Sequence, residues 1–550
     1  MADFFRKVVK RVELPREDDT VTHEQLYLAN KDLLPVPVEN RIWGKWTYLF
    51  FWFAEGSSIT SLTAVGTAVK NGLVLAWLAC ILSHLILVGF MVCTGRLGAS
   101  YHVPFPVVAR ASFGTWGSYW PLISRNIMTV IWSGVQGVST GNCIYLLLHA
   151  LTPKIAKVHN PFSKDVTMTG GRLIGFSIGW FITLMCCFVP PHKFSRLVAP
   201  KSIIMSIFIL VFFAWTIAKG GGIGNTIYRS TVIPKGMSHG WLFWSQTMVQ
   251  TASNMTFAAN NSDLTRYARR PNDALWMQVI GYPIGTGIVA FFGVFIISAS
   301  QAIYGKVQWD PIAILDGFLL MDYSPATRAG VFFVALGFSF SQVTTMIFAN
   351  LISAGNDTSA LVPKYISVRR GAIIAMILSF AITPWNLSKT SFAFTNYLGS
   401  YDVFLAGFVG VIIVDYFWVR RGFLDIHQLF SGKADGLYYY THGFNWRAFA
   451  AYFLGMVPFL PGFAAVCGAK HIPDAAKKIF AQSAIFCILL SGGLYALFCW
   501  ISPPAGGMQK VWNEVEPGND FIPRVDYVDG EEGIYDEEKD TAVVESKSAN

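Results

Sequence analysis

Trp132 and Gln136 lie four residues apart in the apolar stretch "RNIMTVIWSGVQGVSTGNC", which runs from Arg125 to Cys143. Residues at this spacing share one face of an α-helix. An indole can stack on a flat ring, and a carboxamide offers one hydrogen-bond acceptor and two donors. The pair could therefore bind a flat heterocycle with an amide edge. A lone tryptophan in such a stretch more often packs or faces lipid, and the glutamine on the same face makes binding a comparable interpretation.

Composition and charge distribution indicate a protein that crosses a membrane many times. Of the 550 residues, 53% are hydrophobic and only 14% are charged, whereas a soluble domain carries about 25% charged residues. A helix needs about 20 apolar residues to cross a bilayer. The sequence predicts about twelve spans: Trp46–Val69, Leu73–Gly95, Trp120–Leu147, Ile174–Pro190, Ile203–Ala218, Trp241–Ala259, Val279–Ile303, Ala329–Leu351, Ala372–Pro384, Asn396–Val419, Ala448–Val466 and Ile479–Ile501.

The basic residues predict the orientation of the spans. Arginines and lysines gather in the first 45 residues and in the even-numbered joints, where the joint after the fourth span contributes Lys193, Arg196 and Lys201. Positive charge in short loops marks the cytoplasmic side, so both termini are predicted to be cytoplasmic. The net charge of +9 reflects this bias and is no indication of nucleic-acid binding.

The sequence carries no pattern typical of an enzyme or a metal centre. The eight cysteines fall almost entirely inside predicted spans and form no CxxC or Cys/His ligand set. No phosphate-binding glycine loop or nucleophile elbow occurs at the spacing that catalysis requires. We therefore predict a non-enzymatic protein without a metal or cofactor.

Two predicted spans contain polar residues in their middle. The first reads "WFAEGSSITSLTAVG" around Glu55, and the sixth reads "VQTASNMTFAANNSD" around Asn254. Such side chains compete for backbone hydrogen bonds and favour local unwinding. Unwound backbone within a membrane is tolerated only where it is buried or lines a cavity. The alternative is a pair of ordinary helices packed through small residues.

The positions of these two spans indicate an internal repeat. Spans one and six correspond if the first ten spans form two five-helix repeats of opposite topology, and matched interruptions are typical of a transport site. The joints after spans two and seven, "VPFPVVARASFG" and "WDPIAILDGFLL", each predict a short helix that begins at a proline. The fold class is thus an all-α polytopic membrane protein.

From about residue 30 to about residue 468, the chain resembles the nucleobase–cation symporter-1 family, in its fungal uracil/allantoin permease branch. The matching stretches are "NKDLLPVPVENRIWG", "WSGVQ", "NNSDLTRYARRP", "FANLISAGNDTSALVPKYISVRRG", "PWNL" and "YYYTHGFNWRAFAAYFLGMVPFLPGF". The resemblance implies a leucine-transporter-type fold, with ten helices in an inverted repeat and two peripheral helices.

The resemblance also implies which residues bind substrate. The family's span-three tryptophan and glutamine fall on Trp132 and Gln136, and its span-eight asparagine falls on Asn350. A second stacking tryptophan of bacterial relatives falls on Asn254, which leaves stacking from span six open. Trp132 is expected to stack on a ring such as uracil, while Gln136 and Asn350 pair with its amide edge.

Two alternatives exist for the ion that drives transport. A sodium site in this fold would use oxygens near Ala54, Ser57, Ser341, Thr344 and Thr345. Threonine hydroxyls in membrane helices can instead bond back to their own helix. Glu55 is the other candidate, since a carboxylate inside a membrane is a functional hypothesis by default. Fungal members of the family are generally proton symporters, so H⁺ is predicted and Na⁺ is the alternative.

Charged residues near the ends of the spans are candidates for gating and capping. The "NKDL" segment of the family suggests that Asp32 pairs with Lys193 or Arg266. Asp263 and Asp357 are expected to cap helices or to pair with neighbouring arginines. The acidic tail from residue 503 is predicted to be disordered. In this family such tails carry endocytic and ubiquitin signals, for which Lys539 and Lys547 are candidates.

These predictions combine into one domain plan and one function. Residues 1–45 form a cytoplasmic segment, 46–502 the transporter (46–220 and 241–421 as repeats, 444–502 as two further helices), and 503–550 the tail. We expect a plasma-membrane H⁺-coupled importer of uracil, allantoin or a related purine or pyrimidine derivative, working by alternating access. The expected partners are this small molecule, the bilayer, and ubiquitin ligases or endocytic adaptors. The alternatives are a thiamine or nicotinamide riboside carrier of the same family and a nutrient receptor without transport.

Overall fold

The computed structural model describes residues 13–14, 27–67, 72–162, 166, 168–228, 233, 237–386 and 400–518. Within these ranges the chain is helical, and its only β pairings are the isolated bridges Trp43–Ala268 and Thr441–Phe444. The helices up to residue 220 are α1 Lys45–Gly56, α2 Ile59–Thr67, α3 Leu73–Tyr101, α4 Phe105–Phe113, α5 Tyr119–Leu151, α6 Gly170–Cys186 and α7 Ser195–Gly220.

The second half of the transporter and the remaining helices follow. They are α8 His239–Ser253, α9 Met255–Thr265, α10 Pro271–Tyr304, α11 Pro311–Met321, α12 Pro325–Thr345, α13 Ile352–Leu361, α14 Val368–Ala381, α15 Asp402–Val414, α16 Trp446–Met456, α17 Leu460–Val466, α18 Asp474–Phe480 and α19 Ser483–Ile501. A π-helical turn, Met346–Leu351, joins α12 to α13 without a break, and a second one, Asp415–Val419, extends α15.

Each predicted span overlaps one of these helices or a broken pair, although the end of the first span and the start of the tenth lie outside the described residues. By length and composition, seven helices of the described chain are long and apolar enough to cross a membrane. They are Leu73–Tyr101, Pro191–Gly220, Pro271–Tyr304, Pro325–Leu361, Asp402–Val419, Trp446–Val466 and Ser483–Ile501. The two predicted proline-started helices are α4 and α11, and both have proline in their first turn.

Both predicted interruptions are confirmed. α1 ends at Gly56, and Ser57 has the non-helical angles φ −88° and ψ 52° before α2 begins at Ile59. Between α8 and α9 the break falls at Asn254, with φ −110° and ψ 7°. The polar side chains hold the freed backbone as expected: the Ser58 hydroxyl accepts a hydrogen bond from the Ser61 N–H at 3.2 Å.

Glycines allow the first interrupted span to lie directly against α10. A Cβ atom on Gly281 would lie 2.7 Å from the Leu49 carbonyl oxygen, and one on Gly285 would lie 2.4 Å from the Phe53 carbonyl oxygen. Real Cβ atoms do not approach this closely, so only glycine permits the contact. Small residues at helix interfaces are typical of packing within membranes.

The beginning of the acidic tail departs from the prediction of disorder. Residues 503–518, here called the C-terminal strap, pack against the ends of α3 and α15. Glu514 forms an ion pair with Arg96 at 2.6 Å and accepts a hydrogen bond from Tyr416. Glu516 lies 3.1 Å from Arg41. These pairs and the packing of Trp512 on Phe417 order the strap. Lys539 and Lys547 lie outside the described residues.

Candidate binding cavity

A cavity of about 990 Å³, its open mouth included, lies between the two interrupted spans. The wall consists of Glu55, Ser58, Thr60, Ser61, Cys80, His84, Trp132, Gln136, Gln246, Val249, Gln250, Ser253, Asn254, Thr256, Phe257, Tyr282, Thr345, Ala349 and Asn350. The breaks in both spans therefore line a cavity, as unwound backbone inside a membrane must unless it is buried in protein.

The structure brings Trp132, Gln136 and Asn350 to this one cavity. Trp132 and Gln136 come from the middle of α5, and Asn350 comes from the π-helical turn after α12. Each is less than 10% exposed. Among the residues that the structure describes, the Trp132 indole N–H and the Asn350 amide NH₂ have no hydrogen-bond partner. Buried polar groups are normally paired, so these two donors are available for a ligand.

Two neighbouring side chains hold the amide of Gln136. Its Oε1 accepts hydrogen bonds from the Thr60 hydroxyl at 3.2 Å and from Gln342 Nε2 at 3.0 Å. Both bonds use the oxygen, so the NH₂ group of Gln136 is left as a donor. Sequence reasoning missed Gln342. A glutamine inside the apolar eighth span was the available signal, but its partner lies 206 residues away in the chain.

Asn254 lines the cavity, but both polar atoms of its side chain already have hydrogen-bond partners within the protein. Its Nδ2 donates to the Gln250 carbonyl at 2.9 Å, and its Oδ1 accepts from the Tyr282 hydroxyl at 3.2 Å. Phe257, three residues further on, supplies an aromatic wall from α9. The aromatic contribution of this span thus comes from a position that the alignment of tryptophans did not indicate.

The comparisons with known proteins agree with this geometry. Residues 35–485 match the family described as permeases for cytosine/purines, uracil, thiamine and allantoin. The chain belongs to this permease family. Its relatives are transporters and not enzymes, and the predicted nucleobase–cation symporter-1 membership is confirmed.

Several relatives are similar over most of the permease. An uncharacterised permease of Schizosaccharomyces pombe is 36% identical across 90% of this chain and 83% of its own. The uracil permease of Saccharomyces cerevisiae is 33% identical across 94% and 85%. The allantoin permease of the same yeast is 32% identical across 88% and 78%.

A solved structure shows the fold. The closed form of Mhp1, a nucleobase-cation-symport-1 family transporter with bromovinylhydantoin bound, matches with a TM-score of 0.68 at 19% identity. The match covers 86% of this permease and 97% of Mhp1. The predicted leucine-transporter-type fold class is thereby confirmed.

A lysine that sequence reasoning assigned to a cytoplasmic joint lies at the edge of the cavity of the permease. Lys201 is inside α7, and its side chain is 1% exposed. Its ammonium donates to the carboxylate of Glu55 and, at 2.8 Å, to the hydroxyl of Thr345. The assignment was wrong because α7 begins eight residues before the predicted span. The two alternative coupling groups, Glu55 and Thr345, therefore belong to one cluster.

The other predicted coupling residues form no hydrogen bond with this cluster in the described part of the chain, and two of them bond to main-chain carbonyls. The Ser57 hydroxyl lies 3.5 Å from the Gly285 carbonyl, and Thr344 donates to the Phe340 and Ser341 carbonyls of its own helix. Ala54 is buried, and the Ser341 hydroxyl has no hydrogen-bond partner among the described residues. Thr344 thus makes the back-bond that the sequence left open as an alternative.

The predicted ion pair of Asp32 with Lys193 or Arg266 does not form. The Asp32 carboxylate accepts the Val368 N–H at 2.9 Å, where it caps α14. Arg266 donates instead to the main-chain carbonyl of Asp32 at 2.8 Å. Lys193 is exposed. The segment before α1 is therefore held through its backbone, since helix α14 competes for the carboxylate.

Asp263 and Asp357 pair with an arginine, as expected. Arg125 lies 2.8 Å from Asp263 and donates from Nε to Asp357 at 2.7 Å, and all three side chains are fully buried. Seven residues separate Arg125 from Trp132 on α5, which is about 10 Å at 1.5 Å per residue. The triad ties α5, α9 and α13 together beside the cavity. Removing one member of such a group strands a buried charge, which is strongly destabilising.

Proposed function

We propose that this permease imports uracil, allantoin or a related purine or pyrimidine derivative across the plasma membrane together with a proton. The observation that carries the proposal is the meeting of Trp132, Gln136 and Asn350 in a cavity between two interrupted spans. The basic residues of the even joints support an orientation with both termini in the cytoplasm. The named uracil, allantoin and uridine permeases, at 31% to 33% identity, support the substrate class.

The chemistry of the cavity suits a planar ring that carries carbonyl groups. Trp132 can stack on the ring, and a base–aromatic stack is worth about 1–3 kcal/mol in other base-binding sites. The free NH₂ of Gln136 and the unpaired NH₂ of Asn350 can donate to ring carbonyls. A site that relies on such bonds rejects analogues without the carbonyls, because its buried donors would then stay unpaired.

The Lys201–Glu55 pair supports coupling to a proton. An ammonium already supplies a positive charge beside Thr345, next to the hydroxyls that a sodium site would use. Protonation of Glu55 would remove the charge that holds Lys201, and the two groups join α1 to α7. A proton could thus loosen a contact between two helices. A ligand or ion shifts a conformational equilibrium only through such a difference between states.

The pair also favours a neutral substrate over a cationic one. A thiamine-type ring would need a carboxylate without a counter-charge, and Glu55 is already bonded to Lys201. The named thiamine and nicotinamide riboside transporters are 27% to 28% identical to this chain, below the uracil and allantoin permeases. A receptor without transport would bind the same ligands but would not accumulate them.

Uptake of radiolabelled ligands by a strain without its own nucleobase permeases tests the proposal. Uracil, uridine, allantoin, uric acid and thiamine are offered at two external pH values, with and without sodium. We expect accumulation of at least one of the first four, a higher rate at the lower pH and no effect of sodium. Accumulation of thiamine alone, or a requirement for sodium at constant pH, would contradict it.

A further inference from the structure

The cavity continues from the Trp132 side into the space between α3, α8 and α10. His84 and Cys80 reach it from α3, Gln250 from α8 and Tyr282 from α10. His84 is 5% exposed and packs edge-on against Tyr282, with ring centroids 4.9 Å apart. The family resemblance does not assign His84 or Gln250 to substrate binding. This side of the cavity therefore has no role in the proposed function.

The hydrogen bonds of His84 fix which of its nitrogens carries the proton. Nδ1 lies 2.7 Å from the Cys80 carbonyl, which can only accept, so Nδ1 is the donor. It also lies 3.0 Å from the Ser83 hydroxyl, whose own proton goes to the same carbonyl. In the neutral ring Nε2 is then an acceptor. In the described part of the chain, no group hydrogen-bonds to Nε2.

The same logic orients Gln250. Its NH₂ group donates to the Ala76 carbonyl at 3.4 Å, so Oε1 points the other way and acts as an acceptor. Among the described residues Oε1 has no hydrogen-bond partner. Ala76 and Cys80 are one turn apart on α3. The Cys80 and Ala76 carbonyls each accept a hydrogen bond from one side chain, His84 or Gln250. The acceptor atom of each side chain therefore points away from α3.

The nearby polar groups do not meet these acceptors. Asn254 uses its amide in the break of the span, the Tyr282 hydroxyl donates to Asn254, and the Ser253 hydroxyl donates to the Val249 carbonyl. Gln246, one turn before Gln250, can turn either end of its amide to the cavity. His84 and Gln250 therefore offer two acceptors on the α3 side of the cavity, whereas Trp132, Gln136 and Asn350 offer donors.

We propose that His84 and Gln250, here called the acceptor wall, form a subsite for a hydrogen-bond-donating substituent on the substrate ring. The inference rests on the proposed function, because the ring itself is placed by Trp132, Gln136 and Asn350. Sugar hydroxyls and ureido N–H groups are substituents of this class, whereas the only donors of the parent ring are its own N–H groups. The acceptor wall therefore selects a substituted heterocycle over its parent ring.

The test compares two pairs of ligands, allantoin against hydantoin and uridine against uracil, in each of which the first ligand carries such a substituent; in uridine the substituent replaces the N1–H of the parent ring. Inhibition constants are measured against uptake of the preferred radiolabelled ligand. His84→Phe keeps a ring against Tyr282 but removes the acceptor, and Gln250→Leu removes the other one. We expect each variant to weaken at least one substituted ligand about tenfold and to leave its parent ring within about twofold.

His84→Gln serves as the matched control, because its amide reaches the position of Nε2. It should recover part of the lost affinity, whereas a purely structural role of the histidine would affect ring and substituted ligand equally in all variants. Equal changes within each pair, or unchanged affinity for the substituted ligands, would overturn the inference. A wild-type permease that binds only the parent rings would also overturn the inference, but it would leave the proposed function intact. A wild-type permease that binds uric acid but none of the four would likewise overturn the inference alone, and one that binds neither the four nor uric acid would show that the proposed function itself fails.

Discussion

Lys201 Nζ lies 2.8 Å from the Thr345 hydroxyl and also bonds to the carboxylate of Glu55. Three helices, α1, α7 and α12, therefore meet at one buried positive charge. Both charged side chains are 1% exposed. A buried pair of this kind contributes little net stability against an apolar replacement, but it is costly to break from one side. Glu55 lines the cavity, so the charged pair lies close to the proposed ligand site.

Removing only Lys201 should destabilise the permease. Lys201→Met leaves the Glu55 carboxylate buried without a counter-charge, a situation that costs about 3–5 kcal/mol. We expect a lower unfolding temperature of the purified protein and less protein at the cell surface. The double variant Glu55→Gln/Lys201→Met removes both charges and should regain most of the loss. Equal stability of the single and double variants would contradict the pairing.

Glu55→Gln should uncouple uptake from pH. The amide keeps the size of the side chain and an oxygen that can accept from Lys201, but it can neither ionise nor exchange a proton with the solvent; because Lys201 is left without a counter-charge, equal folding of the variant is verified first. We expect binding of the ligand to persist, while concentrative uptake and its rise at low external pH are lost. The measurement is uptake into sealed vesicles with and without an imposed proton gradient. A variant that still concentrates ligand in response to the gradient would exclude Glu55 from coupling.

Gln342→Leu should weaken binding without removing the stack. Loss of the bond from Gln342 leaves the Gln136 oxygen with only the Thr60 hydroxyl, so the amide can rotate away from the ligand. A hydrogen bond of this kind is worth about 1 kcal/mol, which corresponds to about a fivefold rise in the uptake KM. Ser139→Ala, on α5 near Gln136, is the control and should leave KM unchanged. A change in maximal rate alone would argue against a positioning role.

The C-terminal strap should loosen in acid. Burial opposes ionisation of Glu514, but interactions with Arg96 and Tyr416 outweigh it and lower the pKa of this carboxyl. A carboxyl whose pKa is lowered by folding stabilises the folded state above its ordinary pKa of about 4.3, and the contribution is lost as the pH falls through the lowered value.

Hydrogen exchange of residues 503–518, corrected for the intrinsic effect of pH, measures this loosening. We expect slow exchange at neutral pH and fast exchange well below about pH 4. Glu514→Gln should exchange fast throughout. A strap equally protected in the variant and the wild type would show that Trp512 packing, and not the carboxylate, holds it.

The features that could be predicted from the sequence are those that depend on residues close together in the chain. The polar residues around Ser57 and Asn254 are enough to predict that the helices break, because each competes with its own backbone. Trp132 and Gln136 were found because one helical face displays both. The position of Asp263 and Asp357 near span ends predicted either capping or pairing with neighbouring arginines, and the arginine that pairs with both is the distant Arg125.

Contacts between distant helices lay beyond this reasoning. The assignment of Lys201 to a cytoplasmic joint depended on where the span was taken to begin, and an error of eight residues placed the lysine outside the helix that brings it to Glu55. The acceptor role of His84 Nε2 is inferred from the bond between Nδ1 and the Cys80 carbonyl, two groups that only the folded helix brings together. The π-helical turn that carries Asn350 has no marked sequence signal, and such turns often occur at functional sites.

The variants Trp132→Ala and Gln136→Ala test the ligand site most directly, with Ser139→Ala as the control. Equilibrium binding of the transported radiolabelled base is measured on purified permease of each variant, after equal folding has been verified. Loss of the stack or of the paired amide should weaken binding by about tenfold or more in the first two variants and leave the control unchanged. Wild-type affinity in both Trp132→Ala and Gln136→Ala would mean that the ligand binds elsewhere in the protein.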